Sequence, residues 1–456
     1  MHTPVPARLL PPLLAACVTL LLTVAAQPAQ ARSSTFAEAA VDAVVVRAES
    51  PAHLDGLQRY AEQRGYRVTS RSDALGALRL DTGEGDGVVR TMAVMLRAEG
   101  AIYVEPLYRA TTADIPADPL YATRQRRYLE PVGAHAAWDI EQGRASTIVA
   151  VIDTGVDGAH PDLQGRMWVN AGETPANGVD DDDNGCVDDV HGCAFVAFPE
   201  SGCAAREGGA AGDDSGHGTF VAGIIAANAN NGQGIAGVAR GASIMAVKVL
   251  DCAGGGNSLQ VAQGIVYAAE NGARIINVSL GGSSDPLIVR EAVRTATEQY
   301  GALVVAATGN SGDSGVTYPA RYPEVLAVGA ASIADPTKRA DFSTYGPEVD
   351  VAAIGESIVG PLPQAACGRL LPCLPGGPYA AGSGTSFAAP QVAGLAALIV
   401  SRQPAMTPPQ LIALIKASAV PVPAGEAPNW AGAGLIDMAE ALPPQFRLGT
   451  PGTARN

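Results

Sequence analysis

The chain has 456 residues, 47% hydrophobic and 16% charged, the balance of a well-packed globular protein and not of a disordered one. Its formal net charge is -15 and no basic stretch offers a footprint for phosphates, so a nucleic-acid partner is excluded. The length suits one large domain with a small companion.

The N-terminus reads as an export signal. Arg8 precedes the apolar run LLPPLLAACVTLLLTVAA, and Ala29–Ala31 forms an Ala-x-Ala cleavage pattern. Residues 1–31 are therefore expected to be removed and the mature protein to be secreted or periplasmic. Pro11 and Pro12 interrupt the run, which is too short for a membrane span. A lipid anchor at Cys17 (LAAC) is the minor alternative, disfavoured because the residues after it stay apolar. No stable membrane insertion is expected.

Residues 32–117 form the next unit. Between Ala43 and Pro106 the pattern runs strand, helix, strand, strand, helix, strand, the order of a ferredoxin-like α+β domain. In its first helix Leu54, Leu57, Tyr60 and Ala61 share a face, and Gly65 stops it. The segment Thr111–Pro119, with alanines, acids and prolines, reads as a protease-sensitive linker.

The unit 118–442 changes rhythm from Thr147. The apolar runs TIVAVID, SIMAVKVL, RIINVSL, ALVVAAT and VLAVGAA alternate with helical stretches such as SLQVAQGIVYAAENG and PLIVREAVRTATEQYG. Continuous apolar strands separated by helices imply a doubly wound α/β fold, its mainly parallel sheet covered on both faces. Chemistry in such folds collects at the carboxyl ends of the strands. Residues 443–456 read as a polar tail.

Each strand end or helix start holds one reactive group. Asp153 closes VID, His217 sits between glycines in SGHGT, Asn310 follows VVAATG, and Ser386 stands in GSGTSFAAP. A serine hydroxyl needs a base to take its proton, an imidazole is suited to that near neutral pH, and a buried carboxylate fixes the imidazole tautomer. An amide donates to the oxyanion that forms. Taken singly, Ser386 would more often be a helix start, Asp153 a turn residue and His217 a core histidine. The six histidines are at 2, 53, 135, 160, 191 and 217, so none follows Ser386. That excludes the Ser-Asp-His order of α/β-hydrolases. A His-Asp-Ser order would need β-barrels, which the alternating elements contradict. Asp-His-Ser on an α/β sheet remains.

The segments VIDTGVDGAHPDL, SGHGTFVAGIIAA, INVSLGG, AATGNSG, YPARYPEVLAVGA and GTSFAAPQVAGLAAL resemble, in order, the motifs of subtilisin-like serine proteases. The resemblance covers roughly Asp118–Leu442. It implies a secreted endopeptidase with Asp153, His217 and Ser386 as triad and Asn310 as oxyanion donor. It also implies substrate contacts at Ser279, Leu280, Gly281 and Gly282 and at Ala306, Ala307, Thr308 and Thr317. The small domain resembles the family's inhibitory, folding-assisting propeptide, so the partners expected are polypeptide substrates and the chain's own propeptide, cut off somewhere in Tyr108–Asp118. A monomer is expected. The rival class is a catalytically inactive binding protein on the same scaffold. Two departures stand out. Phe387 replaces the methionine usual after the nucleophile, and Thr317 replaces a common glycine at the floor of the specificity pocket. A shallower pocket, preferring small or medium apolar side chains, follows from the second.

No cofactor is expected for catalysis, but structural calcium is. Six acidic residues fall within Asp180–Asp189. Asp180, Asp182 and Asn184, then Gly185, with Asp188 and Asp189, give alternating oxygens and a sharp turn. The EF-hand pattern fails because His191 stands where glutamate should. The bland alternative is a solvated acidic loop. The resemblance adds Asp162 and Asn231 as a second calcium site. GCAGGG and GNSGDSG lack the lysine and the spacing of phosphate loops. Apart from Cys17 there are six cysteines and no Cys-x-x-Cys, which in an exported chain reads as three disulfides. Proximity favours Cys367–Cys373. The resemblance suggests Cys203–Cys252, which leaves Cys186–Cys193.

Overall fold

The computed structural model describes residues 39–82, 87–108, 115–200, 202–423 and 427–442. The export signal 1–31 with Cys17, the tail 443–456, and positions 109–114 of the linker and expected cleavage stretch lie outside the described residues.

The first six elements are β1 (Ala39–Ala48), α1 (Pro51–Glu62), β2 (Arg67–Ser72), β3 (Ala77–Asp81), α2 (Gly87–Met95) and β4 (Ala101–Tyr108). They form an antiparallel sheet in the order β2-β3-β1-β4, the split β-α-β arrangement. Pro51 opens α1, where its missing N–H costs nothing. Leu54, Leu57 and Ala61 of α1 pack on Val44, Val46, Leu78 and Leu80, a core separate from the others.

The larger part begins with α3 (Arg126–Leu129), α4 (Ala134–Ile140), β5 (Ile148–Asp153), β6 (Cys193–Val196), β7 (Arg206–Ala210), α5 (His217–Ala226) and β8 (Ser243–Lys248). It continues with α6 (Ser258–Glu270), β9 (Ile275–Val278), α7 (Leu287–Arg294), β10 (Leu303–Ala307), β11 (Val325–Ala331) and β12 (Val351–Ile354). It closes with β13 (Ile358–Pro361), β14 (Tyr379–Gly382), α8 (Thr385–Arg402) and α9 (Pro408–Ser418). Eight strands line up as β12-β11-β10-β9-β5-β8-β6-β7. All neighbours are parallel except the β6–β7 edge pair. This is the doubly wound sheet that the alternating elements predict.

Strand period two sorts the side chains. Val149 and Val151 of β5 join the core that contains α5 and α8, while Ala150 and Ile152 join the opposite one with α6 and α7. Two pairings were not foreseen: the β6–β7 edge, where Gly208 and Gly209 carry no strand propensity, and the antiparallel β13–β14 hairpin. The predicted helix 286–301 also differs, because after α7 it widens into a π turn at Thr295–Gln299 that buries Ala296.

Helix α8 is buried on all sides except at its ends, where Ser386 and Arg402 escape. Such all-round burial marks a core helix. Its alanines and glycines permit this: a Cβ on Gly394 would lie 2.7 Å from Cβ of Val238. The packing holds the helix, and so sets where Ser386 emerges.

Candidate active site

Strand β5 has β9 on one side and β8 on the other, so its carboxyl end opens at the point where strand order reverses. Asp153 is the last residue of β5 and fully buried. His217 is the first residue of α5, and the following Gly218 lets that helix dock, since a Cβ there would lie 2.1 Å from the carbonyl oxygen of Gly155. The docking brings His217 Nδ1 to 2.8 and 2.9 Å from the Asp153 carboxylate oxygens. The N–H of Thr154 donates to the same carboxylate at 2.8 Å. With Nδ1 holding the proton for Asp153, Nε2 is left as the basic nitrogen. Burial alone would pull the imidazole down. The Asp153 carboxylate, by charge and hydrogen bond, and the charge of Asp213 outweigh it and hold His217 above its ordinary value.

Asp213 was missed in the sequence, as were Thr154 and Lys248. The Asp213 carboxylate accepts from the N–H groups of Ser215 (3.0 Å), Gly216 (2.8 Å) and Thr219 (3.0 Å) and from the hydroxyl of Thr154 (2.9 Å). It thereby fastens the loop ahead of His217. Lys248, fully buried, donates to the Thr154 carbonyl at 2.7 Å, the Leu250 carbonyl at 2.9 Å and Asp214 at 2.7 Å. The available signal was the acid pair in GDDSGHG.

Ser386 is the second residue of α8, where first-turn N–H groups lack helical partners. The N–H of Thr385 donates to Asn310 Oδ1 at 2.8 Å, its hydroxyl to the same oxygen at 2.9 Å, and the N–H of Phe387 to the Gly384 carbonyl at 3.0 Å. An N–H only donates, so this side of the Asn310 amide is its oxygen and the NH2 points the other way. His217, Asn310 and Ser386 line one cleft of about 200 Å³. The arrangement offers a base, a hydroxyl and an amide donor around one space.

Several expected substrate contacts are spoken for by the fold. Gly282 exchanges both backbone hydrogen bonds with Tyr318, at 3.0 and 2.9 Å. Ala306 lies inside β10, paired to Val278 and Ala327 and fully buried. Thr308 spends its N–H on Val328 at 3.2 Å and its carbonyl on the N–H of Thr317 at 3.0 Å. Ala307 is likewise buried in β10, at 4% exposure. The Ser279 hydroxyl donates to the Ser386 carbonyl at 2.9 Å, which makes it a tether. Ser279, Leu280 and Gly281, which follow directly on β9, take no such backbone bridge among the described residues. Thr317 stands beside them: a Cβ on Gly281 would lie 2.5 Å from Thr317 Oγ1, and one on Gly309 would lie 3.0 Å from its methyl.

The acidic loop also sorts differently from expectation. Asp180 accepts from the N–H groups of Asn184 (3.1 Å) and Gly185 (2.8 Å), and Asp188 from those of Asn177 and Gly178, both at 3.0 Å. Both acids cap turns. Asn184 donates its NH2 to Asp189 at 3.0 Å, and its oxygen accepts from the N–H of Cys186 at 2.9 Å. Among the described residues, Asp182 and Asp189 converge instead with Glu173, their ligand oxygens all within 4.8 Å of one another. Glu173 is 8% exposed and its Oε2 is buried without a partner. Three carboxylates so close repel when ionised, and a hard divalent cation suits them. Glu173 was missed because it precedes the acidic run. At the other expected site, Asn231 turns its NH2 to Asp162 at 2.8 Å, while the second Asp162 oxygen takes the N–H of Ile235 at 3.0 Å. The Asn231 oxygen accepts from Gln233 at 2.8 Å. This pair closes a loop.

The structure pairs Cys186 with Cys193, Cys203 with Cys252, and Cys367 with Cys373. No described helix is long and apolar enough to cross a membrane.

The chain is 39% identical over 292 residues to thermitase of Thermoactinomyces vulgaris, a match covering 63% of this chain and 86% of that one. It is 39% identical to a thermophilic serine proteinase of Bacillus sp. strain AK1, covering 66% of this chain and 63% of that one. It is 40% identical to subtilisin E of Bacillus subtilis, covering 58% of each. Among solved structures, a protease of Pseudoalteromonas arctica matches with a TM-score of 0.58 and 30% identity, over 72% of this chain and 99% of that one. Fervidolysin of Fervidobacterium pennivorans, a keratinolytic enzyme related to subtilisin, matches with a TM-score of 0.58 and 27% identity, over 89% of this chain and 61% of that one. Since the sequence model of the subtilase family also matches residues 144–435, the chain belongs to the subtilase family of serine endopeptidases.

Proposed function

We propose that the protein is a secreted endopeptidase that cuts polypeptides through an acyl-enzyme on Ser386. The observation that carries this reading is the Asp153 carboxylate on His217 Nδ1, with His217, Ser386 and Asn310 lining one cleft. His217 Nε2 takes the Ser386 proton as the oxygen attacks and returns it to the departing amine. Asp153 holds the ring in the tautomer this needs. The oxyanion meets the Asn310 NH2 and the Ser386 N–H. Residues Ser279–Gly281 are the edge on which an extended substrate lies, and Thr317 keeps the adjoining pocket shallow, favouring small or medium apolar side chains.

The β1–β4 domain acts as an inhibitory propeptide that assists folding and is cut off by the enzyme itself, downstream of β4. Glu173, Asp182 and Asp189 hold a calcium ion, which neutralises their charge and stiffens the loop ahead of β6. It takes no part in the reaction. Labelling by a fluorophosphonate tests the chemistry: the probe attaches to the processed chain and not to Ser386→Ala. Absence of labelling on a folded, processed chain would instead favour a binding protein on this scaffold.

A further inference from the structure

One wall of the cleft comes from a segment with no role so far. Between β13 and β14 the chain makes a short turn at Gln364–Ala366 and a loop closed by the Cys367–Cys373 bridge. Inside that loop, Leu370 and Leu371 line the cleft together with His217, Ser386 and Phe387. Leu371 Cδ1 lies 3.1 Å from where a Cβ on Gly382 would sit, and the Phe387 ring 2.7 Å from the same point. Leu370 Cδ2 lies 3.5 Å from the Cβ position of Gly216, the residue before His217. The rings of Phe387 and His217 are 5.5 Å apart. The loop is held from within: Arg369 donates to the Ala366 carbonyl at 3.0 Å and Gly368 to that of Leu371 at 3.0 Å. A bridge with a sequence separation of 6 leaves such a loop little freedom. Leu370 is nevertheless 38% exposed, a large apolar side chain presented to the opening.

None of Ser279, Leu280, Gly281 or Thr317 lines the cleft. An acyl group lying along Ser279–Gly281 therefore leaves this compartment, beside the imidazole that protonates the departing amine, to the leaving group. Resting on the endopeptidase reading above, we propose that the bridged loop is the specificity element for the leaving side. Leu370 and Leu371, with Phe387, receive the side chain of the residue just after the cleaved bond and select an apolar one over a charged one.

Acyl transfer isolates that side. The purified protein is acylated by a small ester substrate, and amino acid amides compete with water for the acyl-enzyme. The incoming amine forms the C–N bond, the C–O bond to Ser386 breaks, and the amine proton returns to Ser386 through His217. The expected result is that leucine amide is favoured over lysine amide and glycine amide by about tenfold or more, the scale of one side chain in an apolar pocket. In Leu370→Ala/Leu371→Ala the preference falls towards parity while ester hydrolysis persists. Leu370→Glu, a change at an already exposed position that spares the fold, shifts preference towards lysine amide. Unchanged amide preferences in both variants, with ester hydrolysis intact, would overturn the proposal. Failure of the unmodified protein to hydrolyse the ester would overturn the endopeptidase reading itself.

Discussion

Asp213, ahead of α5, and Glu173, on the loop between β5 and β6, are both acids drawn away from solvent, and their surroundings differ in one respect. Asp213 meets N–H groups from three residues and two hydroxyls. Glu173 Oε1 takes the N–H of Asp181 at 2.8 Å, but its Oε2 is buried without a hydrogen-bond partner, and its carboxylate clusters with those of Asp182 and Asp189. A saturated acid is an internal strut, whereas an unsaturated one beside its like has oxygens left for a cation. The role of a carboxylate is set by the donors the backbone brings to it, more than by how many acids surround it in sequence.

The largest effects are expected inside the crevice. Ser386→Ala is expected to lower kcat by about 10⁶ with the fold intact, measured by peptide hydrolysis and far-UV circular dichroism. Asp153→Asn retains the shape but not the tautomer of His217, and a loss of about 10⁴ is expected. Asn310→Ala should cost about 10²–10³ in kcat with little change in KM, as befits a donor that acts on the oxyanion.

Asp213→Asn is the direct trial of the strut. Neutral at the same size, it puts an NH2 among N–H donors and removes a charge that raises the His217 value. The acid limb of kcat/KM is expected above the free-imidazole value of about 6.5, because the raised His217 value keeps the ring protonated, and so inactive, to higher pH. In the variant that limb moves to lower pH, and activity on the plateau falls roughly tenfold, as from one misaligned charge-assisted hydrogen bond. The sign is the same for stability. A raised imidazole favours the folded state below the unfolded value, and this contribution disappears as pH rises through the folded value. A pH profile that does not move would show that Asp213 acts on the loop alone.

The smallest effect is expected at the other acid. Calcium held there at about a hundredfold over its Kd is expected to contribute about 2.7 kcal/mol, and each kcal/mol moves Tm by about 1.5 °C in a unit as large as 118–442. A chelator therefore lowers Tm by several degrees. Glu173→Gln lowers it without chelator and removes the chelator response, whereas Asp180→Asn, a turn cap, leaves that response in place. Calorimetry with and without calcium distinguishes the two.

Chain order and residue type by themselves determined the doubly wound sheet and its reactive strand ends. Continuous apolar strands demand cover on both faces, and a hydroxyl, an imidazole and a carboxylate make sense together. Tertiary structure alone decided which polar atoms were already satisfied. Gly282, Ala306 and Thr308 read as substrate contacts in the sequence but spend their backbone groups on Tyr318, on the flanking strands and on Thr317. Asp180 and Asp188 read as ligands but cap turns, while Glu173, outside the acidic run, closes the carboxylate cluster. The bridged loop offers its leucines to the cleft only because β13 and β14 pair and carry it there. Hydrogen-bond saturation and wall-forming contacts belong to neighbours in space, and linear spacing carries them only where those neighbours are also close along the chain.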